Sequence, residues 1–153
     1  MSRKCEFGNS PQMSRAKTRA VDKVLVLRAL IIDDSPIMRK IIRHHLEQLG
    51  CTITGEAEDA ALGIRLFEQF RPDLVTLDVM MPEVEGFDAV SAFRTFRKQA
   101  PQAAIVIVTS LSAEQVENPF LKEGALGHLP KTFDGFSFAP ILSKLVGRFG
   151  EIR

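Results

Sequence analysis

Two cysteines, Cys5 and Cys51, are all that the 153-residue chain contains. They are too few for a disulfide framework and point to a reducing compartment, so a cytoplasmic location is expected. Long apolar runs are missing as well. None in the chain approaches the roughly 18 residues that a membrane-spanning helix needs, so no membrane span is expected. The first twenty residues are polar and basic. They lack the continuous apolar segment of a secretory signal. Neither GxGxxG nor GxxxxGK(S/T) occurs. Dinucleotide-binding and P-loop readings therefore lack their glycine-rich phosphate cradle.

What is present has an ordinary globular balance, 45% hydrophobic and 25% charged, enough for one core with a remainder. The net charge of +1 conceals an asymmetry. Residues 1–28 carry seven Lys or Arg against two acids, and residues 29–153 carry thirteen against seventeen. The shift suggests a basic, flexible N-terminal extension over 1–24 and a mildly acidic domain over 25–150.

Along that domain, apolar runs alternate with helical periodicity. A strand is expected from Val24 to Ile32, interrupted by Arg28 and ending at Asp33 and Asp34. Ser35 and Pro36 suit the start of a helix running to Leu49, and Gly50 suits its stop. Cys51–Gly55 reads as a second strand, and Asp59 opens a second helix. Leu74–Leu77 is a third strand, ending at Asp78, and Gly86–Lys98 a third helix. Ala103–Val108 is a fourth strand, ending at Thr109. The Ser112–Gln115 capping box opens a fourth helix, which Pro119 should shorten or kink. Leu126–Leu129 is a weak fifth strand, and residues 138–149 form a final amphipathic helix. Five strands alternating with five helices argue for a doubly wound α/β fold. The order 2-1-3-4-5 fits the element count, although periodicity alone does not select it. In such folds sites gather beyond the carboxyl ends of the strands.

The polar residues fall at those ends. Any one of Asp33, Asp34 and Asp78 reads as readily as a helix cap. If strands one and three are neighbours, all three share a small volume, which is unfavourable without a compensating cation. Oxygen ligands of this kind suit magnesium. Thr109 adds a hydroxyl and Lys131 a mobile positive charge, completing the parts of a phosphate site. Asp78 could serve as a nucleophile, because carboxylates accept phosphoryl groups.

Four stretches now carry a resemblance: Leu30-Ile-Ile-Asp-Asp-Ser-Pro36, Leu77-Asp-Val-Met-Met-Pro82 with Gly86, Ile107-Val-Thr-Ser110, and Gly127-His-Leu-Pro-Lys131. Asp34 and Asp78 are 44 residues apart, Asp78 and Thr109 are 31 apart, and Thr109 and Lys131 are 22 apart. From about residue 27 to 149 the chain resembles the response regulator receiver domains of two-component and phosphorelay systems. The resemblance implies a flavodoxin-like (βα)5 three-layer sandwich. It implies that Asp78 is the phosphoacceptor, fed by a histidine kinase or a histidine phosphotransfer protein. Asp33, Asp34, Asp78 and the Met80 backbone carbonyl would hold Mg2+. Lys131 would pair with Asp78 and then with the phosphoryl group. Thr109 would hydrogen-bond the phosphoryl group and, with the residue at position 128, throw the switch. Pro82 and Gly86 would shape the loop after the acceptor.

Three features depart from the family pattern. Lys131 is preceded by Pro130 and followed by Thr132, where the family has Lys then Pro. The switch position holds His128, where the family has Tyr or Phe. Pro119 falls inside the fourth helix. Two apolar side chains, Met80 and Leu111, occupy positions that in the family flank the hydrolytic water, so slow self-dephosphorylation is expected.

The expected function is that of a stand-alone receiver, similar to chemotaxis regulators, with self-phosphorylation chemistry and no other enzymatic activity. Only Gly150–Arg153 follow the last helix, which leaves no room for a nucleic-acid-binding or enzymatic domain. Output would pass through the face formed by helix 4, strand 5 and helix 5 to an unnamed protein target, or onward as phosphate. A phosphorylation-independent receiver-fold adaptor is the main alternative. A magnesium-dependent phosphatase fits poorly without a cap domain, and a fragment of a longer regulator would read the same way.

Overall fold

Alternation of apolar runs with amphipathic stretches builds one parallel sheet with helices on both faces. The computed structural model describes residues 26–131 and 138–144. Within them the strands are β1 (Arg28–Ile32), β2 (Thr52–Ala57), β3 (Leu74–Leu77), β4 (Ala104–Thr109) and β5 (Gly127–Pro130). All neighbours pair in parallel, in the order β2-β1-β3-β4-β5. The connecting helices are α1 (Pro36–Gln48), α2 (Ala60–Phe70), α3 (Ala89–Gln99) and α4 (Ala113–Val116), and residues 138–144 form α5. The expected doubly wound (βα)5 arrangement is the one the chain adopts. The basic extension over 1–24 and the end of the last helix lie outside the described residues. Among the described residues no helix is long and apolar enough to cross a membrane.

Successive strand residues point to opposite faces, and the core divides accordingly. Leu30, Ile32, Val75, Leu77, Ile105 and Ile107 pack with Phe67 of α2 and with Phe93 and Phe96 of α3. The rings of Phe67 and Phe96 stack with centroids 4.4 Å apart, and Phe93 meets Phe120 edge-on at 5.3 Å. On the other face Ala29, Ile31, Leu74, Val106 and Val108 pack with Ile42 and Leu46 of α1 and with Phe138, Ile141 and Leu142 of α5.

The helix starts follow their sequence signals. Ser35 Oγ accepts from the Met38 N–H at 3.2 Å with Pro36 in the first turn, and Asp59 Oδ1 accepts from the Leu62 N–H at 2.8 Å. Both satisfy donors that a helix N-terminus leaves unpaired.

Three boundaries differ from expectation by more than one residue. Arg28 opens β1 instead of interrupting it. Its N–H donates to Asp73 Oδ2 at 2.9 Å, and its guanidinium donates to the Arg71 and Phe70 carbonyls at the end of α2. Val26 and Leu27 precede the strand. β2 runs on to Ala57, because a register shift sets Leu30 opposite Gly55, and the Thr54 hydroxyl fills the gap by donating to Ala29 O at 3.0 Å. α3 begins at Ala89, not Gly86. Glu85 (φ 55°) and Gly86 (φ 83°) form a tight turn closed by two Val84–Phe87 backbone bonds, and Asp88 and Ser91 form the capping box. The fourth helix is indeed short. Pro119 pushes Asn118 to φ −113°, ψ 131°, so α4 stops at Val116 and a wide helical turn continues through Glu117–Leu121.

Among the described residues, the Thr76 hydroxyl is a buried polar group without a partner. Thr76 is 1% exposed, lies between Ile31 and Val106 in the sheet, and its hydroxyl has no hydrogen-bond partner. Thr76→Val keeps the shape and removes the desolvation penalty. It should raise stability by about 1 kcal/mol, read as a higher urea midpoint. A lower midpoint would show that the hydroxyl is satisfied in solution.

Candidate functional site

The β1–β3 ladder continues one residue past the strands and brings the acids together. Asp78 N–H donates to Ile32 O at 3.0 Å, and Asp33 N–H donates to Ala57 O at 3.0 Å. Asp33 and Asp78 thus leave adjacent strands side by side. Carboxylate oxygens of Asp33, Asp34 and Asp78 lie within 4.8 Å of one another. Asp33 and Asp78 are buried and Asp34 is exposed, so the cluster opens to solvent on one side.

Lys131 follows β5, and its N–H donates to Thr109 O at 3.1 Å. That bond carries the β4–β5 ladder to the same end of the sheet. The ammonium reaches Asp78 Oδ2 at 3.0 Å and Asp33 Oδ2 at 3.1 Å. The Pro130–Lys131 order therefore does not prevent the lysine from reaching the acids. Thr132 lies outside the described residues. Asp78 Oδ1 accepts from the Met80 N–H at 3.0 Å, and Asp33 Oδ1 accepts from the Ser35 N–H at 2.9 Å.

Thr109 is fully buried at the end of β4, and its hydroxyl takes only a long 3.5 Å bond from the Leu111 N–H. It remains available as a donor. Met80 is 55% exposed, and its sulfur accepts from Ser110 Oγ at 3.2 Å, joining the loops after β3 and β4. Pro82 is exposed beyond it, and Gly86 occupies the left-handed turn before α3. His128 is half-buried on β5 opposite Ile107, and its Nε2 is buried with no hydrogen-bond partner among the described residues.

Three residues, Arg39, Arg43 and Glu56, escape the sequence reading. Arg39 donates from Nη1 to the Asp33 carbonyl at 2.7 Å, and its Nε lies 3.4 Å from Glu56 Oε1. Arg39 and Arg43 share one face of α1 at i,i+4 spacing, which is a visible signal. Their partner Glu56 sits on β2, and only the folded register brings it there.

The charges explain each other. Burial pushes the Asp33 carboxyl above the ordinary aspartate value; the Ser35 N–H pulls it down, Asp78 raises it and Lys131 lowers it, and the upward causes prevail. Burial alone would lower the Lys131 value, but hydrogen bonds and charge from Asp78 and Asp33 outweigh it and hold the ammonium above the ordinary lysine value. Three clustered carboxylates, two of them paired with one ammonium, all donors oxygen and one side open, fit a hard divalent cation. One of those oxygens, Asp33 Oδ2, is buried with the Lys131 ammonium 3.1 Å away, a place a cation would share.

Comparison with known proteins agrees with this geometry. A family profile described as "Response regulator receiver domain" matches residues 29–138. The chain is 32% identical over 120 residues to Protein CcdB of Bacillus subtilis strain 168, covering 78% of this chain and 98% of that one. It is 31% identical over 119 residues to chemotaxis protein CheY of Halobacterium salinarum, covering 78% and 96%. Among solved structures, a LuxR-family two-component response regulator from Aurantimonas sp. SI85-9A1 superposes with a TM-score of 0.71 at 27% identity, covering 80% of this chain and 86% of that one.

The raised Asp33 value has a measurable consequence. The folded protein holds that proton to higher pH than the unfolded chain does. Its contribution to stability is present below the ordinary value of 3.8 and is lost as pH rises through the raised folded value. At neutral pH the ionised group is thus unfavourable, and asparagine does not carry that penalty. In metal-free protein, Asp33→Asn should exceed the native urea midpoint at pH 7, and the gain should shrink toward pH 4. A pH-independent gain contradicts this origin.

Proposed function

The chain belongs to the response regulator receiver domain family, a phosphoryl-accepting module, and from that premise we propose that Asp78 is the acceptor. The observation that carries this is the Lys131 ammonium held between Asp78 and Asp33. The donor is a histidine kinase or a histidine phosphotransfer protein, and the reaction is self-phosphorylation followed by self-dephosphorylation.

An Asp78 carboxylate oxygen attacks the phosphorus of the donor, and the bond from phosphorus to the donor breaks. The Met80 N–H on Oδ1 and the Lys131 ammonium on Oδ2 fix the carboxylate plane beforehand. A divalent cation, read as Mg2+, held by Asp33, Asp34, Asp78 and the Met80 carbonyl, would offset charge on the transferring oxygens. Lys131 then passes from the carboxylate to a phosphoryl oxygen. Thr109, whose hydroxyl is so weakly engaged, donates to another.

The arrival of a doubly charged group selects between two packings of the chain. Thr109 and Ile107 share a face of β4, and Ile107 is opposite His128. Movement of Thr109 therefore bears on the strand that carries His128 and on the short α4 above it. The surface of α4, β5 and α5 is the output face, read by a protein target. The Lys131 contacts to Asp78 and Asp33 are the ones a phosphoryl-accepting carboxylate uses, which favours the receiver reading over an adaptor without phosphorylation.

Two measurements test this. With acetyl phosphate and Mg2+, the native protein should gain about 80 Da, the mass of one added phosphoryl group, and Asp78→Asn should gain nothing. A folded native protein without the gain would favour the adaptor. The Met80 side chain, two residues after Asp78 and joined to Ser110, supplies no group to orient water. Met80→Asn should therefore shorten the half-life of the phosphorylated form several-fold, and an unchanged half-life would remove Met80 from that role.

A further inference from the structure

We propose that Arg39 is a positioning residue for the acid pair, fixing the peptide that carries Asp33 into Asp34 and so the geometry with which they bind a divalent cation. This rests on the reading of Asp33, Asp34 and Asp78 as a cation site. Every polar group of Asp33 is held. Its N–H donates to Ala57 O, its Oδ1 accepts from Ser35 N–H, its Oδ2 faces Lys131, and its carbonyl accepts from Arg39 Nη1 at 2.7 Å. The Arg39 bond acts on the Asp33–Asp34 peptide itself. Rotation of that peptide would swing the exposed Asp34 carboxylate away from its neighbours.

Arg39 is itself held. Its side chain is 18% exposed, its Nε lies 3.4 Å from Glu56 Oε1, and Arg43 donates from Nε to Glu56 Oε2 at 2.6 Å. Glu56 immediately precedes Ala57, so a closed ring results. Asp33 N–H binds Ala57, Glu56 binds Arg39, and Arg39 returns to the Asp33 carbonyl. The ring ties α1, β2 and the acid loop into one rigid unit, as groups that orient ligands must.

Charge alone predicts the opposite effect. A guanidinium this close to a cation site repels the cation, so neutralising it would tighten binding. The sign of the change therefore separates positioning from electrostatics. Mn2+ affinity, followed through the electron paramagnetic resonance of free Mn2+, should weaken about tenfold in Arg39→Gln, the lower end of what such orienting groups contribute. Arg39→Lys keeps the charge without the planar fork and should weaken binding about threefold. Thermal melts of each variant are read alongside. Tighter or unchanged binding in Arg39→Gln, including unchanged binding with a lower melting temperature, overturns the proposal. Should that variant fail to fold, native affinity in Arg39→Lys overturns it. Absence of Mn2+ binding by the native protein would instead overturn the cation reading beneath it.

Discussion

Repulsion among three carboxylates is the constraint around which the molecule is organised. The sheet forces it, because Asp33 and Asp78 extend neighbouring strands through backbone bonds that the ladder supplies anyway. Once they are there, something positive has to stand between them. Without a bound cation that role falls to Lys131, delivered by β5 through its own backbone bond to Thr109. A site built this way responds to added charge at its centre. Any group that changes the balance around Asp78 changes what Lys131 and Thr109 have to contact, and both are attached to strands that carry the next layer of helices.

Much of this was legible beforehand. Asp34, Asp78, Thr109 and Lys131 each terminate an apolar run, and strand ends are where a parallel sheet collects its polar residues. The caps at Ser35, Asp59 and Ser112 could be read because capping is local, settled within four residues of sequence. Arg28 was less legible. An arginine in an apolar run looks like an interruption, and its role at the end of α2 exists only when β1 and α2 are adjacent. The start of α3 differs for a similar reason. Periodicity carries the helix back to Gly86, whereas the turn with Glu85 uses that glycine, in keeping with its loop-shaping role, and leaves the capping to Asp88. Arg39 and Glu56 belong to the same class, since ion pairs between elements leave no spacing to count.

The departures from the family pattern are absorbed in different ways. Placing proline before Lys131 leaves the ammonium within reach of both acids, since the side chain is long and its backbone is anchored to β4. Histidine in place of Tyr or Phe at position 128 leaves a buried ring nitrogen without a partner among the described residues, a polar atom in a position that otherwise favours apolar contact.

Pro119 has the largest mechanical effect. A helix of four residues has barely completed the turn that nucleates it, and so gains little from its own hydrogen bonds. What keeps α4 in place is the burial of Val116 and, beyond it, Phe120. A long helix resists displacement as a rod, all its turns moving or none. This segment is instead compliant, held at two apolar points with a softer stretch between them. The face that α4 forms beside β4 and β5 can therefore reshape locally, residue by residue, while the sheet stays rigid.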